Sequence, residues 1–149
     1  MNKKERHMAR ASAVAALSNM DLVISRGHKF NRKITVPVIV SDNFEKIQKT
    51  KKVIDSLDSL GVYNDIVRAK DGTHVRAGHG KMRGRRYKVP RSLLIIVNEK
   101  EGISRAARNL PGIDIRTPSE INTEMLAPGG APGRLAVITQ SALRTMGGW

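Results

Sequence analysis

The stretch SLLIIV, residues 92–97, is apolar at every position after its serine. A strand with one face in water alternates apolar and polar side chains, so an unbroken apolar run predicts a strand that is buried on both faces. Strands of this kind lie at the centre of parallel sheets. We therefore expect residues 92–97 to form the central strand of the fold.

Strand-like and helical segments alternate on both sides of this run. Strands are predicted for DLVIS, ITVPVIVS, IDIRT and LAVITQ, which are residues 21–25, 34–41, 113–117 and 135–140. Helices are predicted over residues 3–19, 42–60, 102–112 and 141–146. This alternation indicates an α/β fold, and we expect a three-layer sandwich with a mostly parallel sheet, helices on both faces and a long basic loop.

Local signals predict where helices begin and end. Asp42, followed three residues later by Glu45, is typical of a helix start, and Gly61 is typical of its end. Thr117 and Glu120, with a proline between them, predict that another element begins at Thr117. The lysines at the start of the first helix are unusual, because the helix dipole favours acidic side chains there.

Length and charge limit the classes of protein to consider. A chain of 149 residues with 40% hydrophobic and 27% charged residues is typical of one globular domain, which we assign to residues 1–149. Its 27 Lys and Arg against 13 Asp and Glu give a net charge of +14, and its pI is near 10.8. So positive a surface is expected to bind a polyanion, for which nucleic acid is the first candidate and an anionic membrane the second.

Composition also excludes several kinds of site. The chain has no cysteine, which excludes disulfide scaffolds, thiolate zinc sites and cysteine nucleophiles. The longest apolar runs, near residues 36–40 and 93–97, are far shorter than the roughly 18 residues that span a bilayer. We expect no membrane span, and we interpret the basic, alanine-rich start of the chain as an amphipathic helix and not as a secretion signal.

The apolar period disappears between residues 68 and 91. Within this loop, GHGKMRGRRYKVPR, residues 78–91, carries six Lys and Arg and three glycines without a carboxylate. The Walker pattern fails, because Val75 stands where its first glycine is required and Met82 where Ser or Thr is required. The dinucleotide fingerprint fails at its third glycine. Nucleotide binding is therefore not expected here.

This loop suits contacts with a phosphate backbone. Glycines let the chain lie close to a nucleic-acid surface, and each arginine can bind a phosphate through two hydrogen bonds. The loop of residues 26–33 and the start of the first helix are basic too. The contacts predicted in these three segments are Arg76, His79, Lys81, Arg83, Arg85, Arg86, Lys88, Arg91, Arg26, His28, Lys29, Arg32, Lys33, Lys3, Lys4 and Arg10. The alternative is a solvated basic surface without a fixed partner, although three such segments exceed what solubility requires.

The kind of nucleic acid and the absence of catalysis follow from what the chain lacks. Aromatic residues are only 3% of the chain and Tyr87 is the only one in residues 78–91, which is a poor platform for stacking single-stranded bases. Backbone and shape recognition of structured RNA or duplex DNA is the better interpretation.

The sequence offers little support for catalysis. The histidines lie in basic surroundings and no serine has a base and an acid at a recognisable spacing. We expect no enzyme activity, metal, cofactor or small-molecule substrate, the alternative being an enzyme on a doubly wound sheet.

Several stretches together resemble one family. They are, in order, NKKERHMARASAVAAL, RGHKF…VPVIVSDNFEKIQKT, GHGKMRGRRYKVPRSLLIIV, SRAARNLPGIDI and NTEMLAPGGAPGRLAVITQSAL. They cover essentially the whole chain, and they resemble the large-subunit ribosomal protein L-four family in its archaeal and eukaryotic form.

The resemblance implies a structural protein of the cytoplasmic ribosome with an α/β domain. It would bind large-subunit rRNA early in assembly and lie beside other large-subunit proteins. The residues that match the family's basic segment, and would contact rRNA phosphates, are Lys81, Arg83, Arg85, Arg86 and Lys88. Arg108 and Asn109 also match and are predicted contacts, as is Arg134, whose region is expected mainly to shape the domain edge.

The resemblance also implies a longer protein. Family members have an N-terminal part before the position of Met1, with a strand region of the sheet and an extended loop that reaches the nascent-peptide exit tunnel. We expect that part to be truncated here or to be a separate chain. A contribution of this chain alone to the tunnel is therefore not expected, whereas rRNA binding is.

Overall fold

The computed structural model describes residues 2–100 and 102–147. Its helices are α1 (Lys3–Ala15), α2 (Met20–Ser25), α3 (Thr50–Ser59), α4 (Tyr63–Asp71), α5 (Gly102–Ala107), α6 (Thr123–Leu126) and α7 (Gln140–Met146). Its strands are β1 (Val38–Val40), β2 (His74–Val75), β3 (Tyr87–Lys88), β4 (Leu94–Ile96), β5 (Asp114–Arg116) and β6 (Ala136–Thr139). Within these residues no helix is both long and apolar enough to cross a bilayer.

Four strands form one sheet in the order β1, β6, β4, β5, and every pairing in it is parallel. Leu94 of β4 lies beside Ala136 of β6 on one side and Asp114 of β5 on the other. The apolar run of residues 92–97 therefore supplies an interior strand, as expected. The predicted α/β fold with a parallel sheet is confirmed.

The buried side chains of β4 and its flanks alternate between two hydrophobic clusters. Leu93, Ile95 and Val97 belong to a cluster that also contains residues of α2, α3, α4 and α5. Leu94 and Ile96 belong to a second cluster with residues of α1, α6 and α7. Successive side chains of a strand point to opposite faces, so apolar residues are required at both odd and even positions. This explains why the run contains no polar alternation.

Most of the other predicted elements are present, although shorter than expected. The predicted strands at residues 113–117 and 135–140 contain β5 and β6, and the predicted helices at residues 3–19 and 102–112 contain α1 and α5. The helix predicted at residues 141–146 is α7, which begins one residue earlier. Gly61, with φ +72°, follows the end of α3. The Thr117 and Glu120 signal begins a 3₁₀ turn, Pro118–Glu120. The predicted strand at residues 34–41 is reduced to the three residues of β1, after Pro37, which has no N–H for a ladder hydrogen bond.

The strand predicted for residues 21–25 is wrong, because this segment is helix α2. The side-chain oxygen of Asn19 accepts hydrogen bonds from the backbone N–H groups of Asp21 and Leu22 at 3.0 and 3.2 Å. This cap satisfies two N–H groups that have no partner within the helix. A short apolar run does not distinguish a strand from a buried helix by periodicity alone, and the cap decides between them here.

The helix predicted over residues 42–60 is interrupted. A 3₁₀ turn, Asp42–Lys46, is followed by extended backbone at Ile47 and at Lys49 before α3 begins. The expected capping role of Asp42 and Glu45 is also wrong, because both carboxylates bind distant segments. Asp42 accepts a hydrogen bond from the N–H of Ser141 at 2.9 Å.

Glu45 joins the ends of two neighbouring strands. Its side chain is buried and accepts hydrogen bonds from the N–H of Asn98 at 2.8 Å and the hydroxyl of Thr139 at 2.6 Å. Asn98 follows β4 and Thr139 ends β6. A buried carboxylate requires such donors, and these fix the segment after β1 against the carboxyl edge of the sheet.

The loop expected over residues 68–91 is partly regular. Helix α4 continues to Asp71 and buries Ile66 and Ala69, and β2 and β3 pair as a separate antiparallel hairpin. The helix was missed because its apolar side is short and four charged residues lie within nine positions. The hairpin was missed because each strand has only two residues.

Candidate nucleic-acid interface

The segment between α4 and β4 is a short hairpin whose tip carries most of the predicted contacts. His74 pairs with Lys88, and the N–H of Arg76 donates to the carbonyl of Arg86 at 2.8 Å. Gly78 and Gly84, in the tip, have φ of +76° and +75°. A Cβ atom at either glycine would have open space around it, so glycine is favoured there by backbone conformation and not by crowding.

The hairpin presents its basic side chains to solvent. The exposed predicted residues of this segment are Arg76, His79, Lys81, Arg83, Arg85, Arg86, Lys88 and Arg91. No Asp or Glu occurs in the sequence between Gly72 and Asn98. Guanidinium and ammonium groups in such a segment repel one another and attract anions. We call residues 74–88 the basic hairpin.

Arg91 differs from the other basic residues near the hairpin because it has an acidic partner. Its guanidinium donates to both carboxylate oxygens of Asp114 at 2.8 and 2.9 Å, and its side chain remains more than half exposed. An exposed pair of this kind contributes little to stability. Arg91 therefore has a neutralising partner within the fold, although it lies at the root of the hairpin.

The loop of residues 26–33 is the second predicted segment, and it lies near the root of the hairpin. Lys29 and Arg32 are exposed and, with Arg68 of α4, line a cavity of about 390 Å³. Arg68 also donates to the carbonyl of Arg91 at 2.7 Å. The structure thereby brings the loop and the hairpin root to the same part of the molecule. Lys33 is exposed as well.

His28 is buried and contacts an acid, so its side chain is not on the surface. Its Nδ1 lies 2.9 Å from a carboxylate oxygen of Asp65, which is also fully buried. Asp65 accepts two further hydrogen bonds, from the N–H of Lys29 at 2.9 Å and from Nε of Arg68 at 2.8 Å. Burial tends to raise the pKa of Asp65, but hydrogen bonds from His28 and Arg68 outweigh it and lower the pKa below its ordinary value.

The side chains of His28 and Arg26 form hydrogen bonds with other segments of the protein. An ionised carboxylate only accepts hydrogen bonds, so Nδ1 of His28 donates to Asp65 and holds the loop on α4. Arg26 is half-buried and donates to the carbonyls of Ala131 and Pro128. Burial lowers the pKa of Arg26, with a smaller effect from Arg68.

The third predicted segment is the start of α1. Lys3 and Lys4 are exposed and Arg10 is half-buried, and Lys3 and Arg10 help to line a shallow cavity of about 230 Å³. The unusual basic start is explained by a capping box, in which Asn2 accepts from the N–H of Lys4 at 3.1 Å and Glu5 accepts from the N–H of Asn2 at 3.2 Å. Glu5 supplies the negative charge that the first turn favours.

Arg108 and Asn109 lie just after α5 and are exposed. Arg108 lines an open cavity of about 900 Å³ together with Lys46, Lys100 and Arg105. Lys100 forms an ion pair with Glu120. Of these residues, Lys100 follows the carboxyl end of β4 in the sequence, whereas the basic hairpin precedes the amino end of that strand.

Arg134 is fully buried, and its position conflicts with a contact to RNA. Its guanidinium donates to Asp114 Oδ2 at 2.7 Å and to the carbonyls of Ser92 at 3.1 Å and Met125 at 2.9 Å. Burial lowers the pKa of Arg134, and the Asp114 carboxylate acts in the opposite direction. The side chain joins β5, the entry to β4 and α6, and this leaves no exposed guanidinium surface for a phosphate.

Among the described residues, no three His, Asp or Glu side chains are grouped as a metal ion would require.

The sequence model of the ribosomal protein L4/L1 family matches residues 1–149. The chain belongs to this family. The resemblance drawn from the sequence motifs is thereby confirmed.

Curated relatives agree with this assignment. The chain is 53% identical to the large ribosomal subunit protein uL4 of Haloarcula marismortui over 143 residues, which are 96% of this chain and 56% of that protein. It is 50% identical to the uL4 of Methanococcoides burtonii over 148 residues, which are 99% of this chain and 58% of that protein. It is 49% identical to the uL4 of Methanocaldococcus jannaschii over 98% of this chain and 58% of that protein. The chain thus spans somewhat over half the length of these relatives.

Sequence reasoning on this L4/L1 family member grouped exposed basic residues with buried ones, because it missed their acidic partners within the fold. It did not anticipate that Asp65 would bind His28 or that Asp114 would bind both Arg91 and Arg134. These pairs join residues 20 to 37 positions apart, beyond any helical spacing. The one usable signal was Asp114 itself, an acid within a predicted strand, since a carboxylate near a buried strand needs a partner.

Proposed function

We propose that this chain is a non-catalytic, structural constituent of the large ribosomal subunit that binds large-subunit rRNA and supports subunit assembly. The observation that carries the proposal is the basic hairpin, which is exposed and lies within a range of sequence, Gly72 to Asn98, that has no carboxylate. A structural protein of an RNA particle needs such a surface to neutralise the phosphate backbone. Membership of the L4/L1 family and the names of the uL4 relatives support the choice of rRNA as the polyanion.

The proposed interface consists of the exposed cations of the three basic segments and of the α5 end, together with the half-buried Arg10. Its members are Arg76, His79, Lys81, Arg83, Arg85, Arg86, Lys88, Lys29, Arg32, Lys33, Lys3, Lys4, Arg10 and Arg108, with Asn109 beside them. We assign a structural role to His28, Arg26 and Arg134, since their polar groups bind the protein itself, and a minor role in RNA contact to Arg91.

The proposal extends to the whole domain and its surroundings. Residues 1–149 would act as a single α/β RNA-binding domain with helices layered on both faces of the sheet, an arrangement that the two hydrophobic clusters support. The partners would be large-subunit rRNA and adjacent large-subunit proteins in the cytoplasmic ribosome. The function requires no cofactor, small-molecule substrate or membrane.

The salt dependence of RNA binding tests the proposal. Each phosphate neutralised contributes roughly 0.7 to 0.9 to the slope of log affinity against log salt. Replacing Arg83, Arg85 and Arg86 with alanine should therefore reduce the slope by about 2 to 3, measured by filter binding to protein-free large-subunit rRNA.

A matched control separates local contacts from net charge. Replacing Lys49, Lys51 and Lys52, which are exposed beside and within α3, removes the same three charges from a surface outside the proposed interface. This variant should retain the wild-type slope within about 1. An equal slope for both triple variants would refute the hairpin as the contact, and a wild-type chain that does not co-sediment with large subunits would refute the ribosomal role.

A further inference from the structure

The basic hairpin has two chemically different faces. Side chains of directly paired residues on antiparallel strands lie on the same face, and successive residues alternate between faces. His74 and Lys88 are paired and therefore share one face, whereas Val75 and Tyr87 are paired and share the other. The backbone hydrogen bond from Arg76 to Arg86 continues the ladder by one step and adds these two arginines to the His74 and Lys88 face.

The Val75 and Tyr87 face is apolar and exposed. Val75 is 46% exposed and Tyr87 is 59% exposed. Val89 follows Tyr87 by two residues, the spacing that continues the same face, and is 43% exposed. An isolated two-stranded hairpin is only marginally stable in water, and three neighbouring apolar side chains on its surface add to the cost of leaving it uncovered. Such a face is typical of a surface that a partner covers.

Charge complementarity identifies the partner. The apolar face lies on a segment whose opposite face carries Arg76, Arg86 and Lys88, and no acidic residue occurs between Gly72 and Asn98. A protein covering this face would have to place its own apolar surface amid acidic groups. An RNA nucleotide provides both features at once, because its base has an apolar, stackable face and its phosphates carry the negative charge.

We propose that the Val75 and Tyr87 face binds an unpaired RNA base, which stacks on the ring of Tyr87, while the opposite face of the hairpin binds phosphates. This inference rests on the proposed function and makes it more specific. One stacked base agrees with the scarcity of aromatic residues, which excludes an extended stacking platform but not a single position. The hairpin then reads local RNA structure, since only a loop, bulge or end presents an unstacked base.

Substitutions of Tyr87 test the stacking directly. Tyr87→Leu keeps an apolar side chain beside Val75 but removes the aromatic ring, and it should weaken binding to protein-free large-subunit rRNA by about 5- to 150-fold. Tyr87→Phe keeps the ring and should bind within about twofold of wild type. Because stacking involves no charge, the slope of log affinity against log salt should be the same for both variants. Met82→Ala, which removes an exposed apolar side chain in the hairpin tip, is the control and should have no comparable effect.

The outcomes separate this inference from the proposed function. If the leucine and phenylalanine variants bind rRNA equally well while wild-type binding remains salt-dependent, base stacking is refuted and the rRNA-binding function stands. If the leucine variant binds naked rRNA normally but associates poorly with large subunits, the face contacts a protein and the inference is likewise overturned. If wild-type binding shows no salt dependence, the proposed function itself fails. Circular dichroism of each variant confirms that the fold is retained before binding is compared.

Discussion

Arg134 and Arg91 bind the same carboxylate, and the structure predicts very different consequences for removing each of them. Arg134 is fully buried, whereas the side chain of Arg91 is 57% exposed. Arg134→Ala leaves a cavity, deprives the buried carbonyl of Ser92 of a donor and leaves Asp114 with only its exposed partner. Removing one member of a buried pair costs about 3–5 kcal/mol. Removing one member of an exposed ion pair costs about 0–1 kcal/mol.

A loss of this size is large against the stability of a single domain, which is typically about 5–15 kcal/mol. For a chain of this length, each kcal/mol shifts the melting temperature by roughly 2–4 °C. Arg134→Ala should therefore lower the melting temperature by roughly 6–20 °C, and Arg91→Ala by at most about 4 °C. Urea denaturation at neutral pH, followed by circular dichroism, gives the corresponding free energies of unfolding.

A third variant maintains the test if the alanine variant does not fold. Arg134→Lys keeps the positive charge but cannot bind at once the five acceptors that the planar guanidinium contacts, so its free energy of unfolding should lie between those of wild type and Arg134→Ala. Equal stabilities for Arg91→Ala and Arg134→Ala, or wild-type stability for Arg134→Lys, would refute the structural role of Arg134.

Two further predictions concern backbone conformation and pH. Gly112→Ala should cost several times more stability than Gly78→Ala, although both glycines have φ near +75°: a Cβ at Gly112 would overlap the Pro90 carbonyl, whereas a Cβ at Gly78 would meet nothing within 4 Å. Gly78 has φ +76° and ψ −170°, a backbone conformation that costs a non-glycine residue about 1–3 kcal/mol. Thermal denaturation should give a loss of this size for Gly78→Ala, and a similar loss at both sites would contradict the close approach at Gly112. The pKa of Asp65 is lower in the folded chain than its ordinary value near 4, so this carboxylate adds stability above about pH 4 that is lost as the pH falls through its folded pKa. Asp65→Asn should therefore be less stable than wild type at pH 7, and the difference should decrease below about pH 4; a difference that does not change with pH would exclude the ionised carboxylate as its source.

The sequence was most informative where one local property determines the structure. Residues 92–97 could be placed at the centre of the sheet because burial on both faces leaves no place for a polar side chain. The α/β order of elements followed from the same kind of pattern, and β5, β6 and α1 were found by it. Short segments were less certain, because residues 21–25 satisfy the composition of a strand and of a helix equally well. Asn19 decided that case, through a cap that lies just outside the apolar run.

In the predicted interface, too, local sequence placed some residues correctly and others not. The hairpin cations could be expected to be exposed, because their segment contains no acidic residue and no apolar periodicity. The partners of His28 and Arg134 are Asp65 and Asp114, which lie 37 and 20 positions away in the sequence. Only the tertiary fold brings these acids next to the two side chains. A cation within a basic segment therefore gives no indication, from sequence alone, of whether it faces solvent or the interior.

The folded arrangement also makes the positive charge more concentrated than composition suggests. The ion pairs of the described residues bring together acids and cations of the folded body: Asp65 with Arg68, Asp114 with Arg91 and Arg134, and Glu120 with Lys100. The hairpin residues from Arg76 to Lys88 lie in a stretch of sequence that contains no acid at all. Charge that is neutralised in one region and unbalanced in another produces a local potential that a uniform net charge would not. The order of residues, more than the total of +14, is therefore the reason to expect RNA at the hairpin and not over the whole surface.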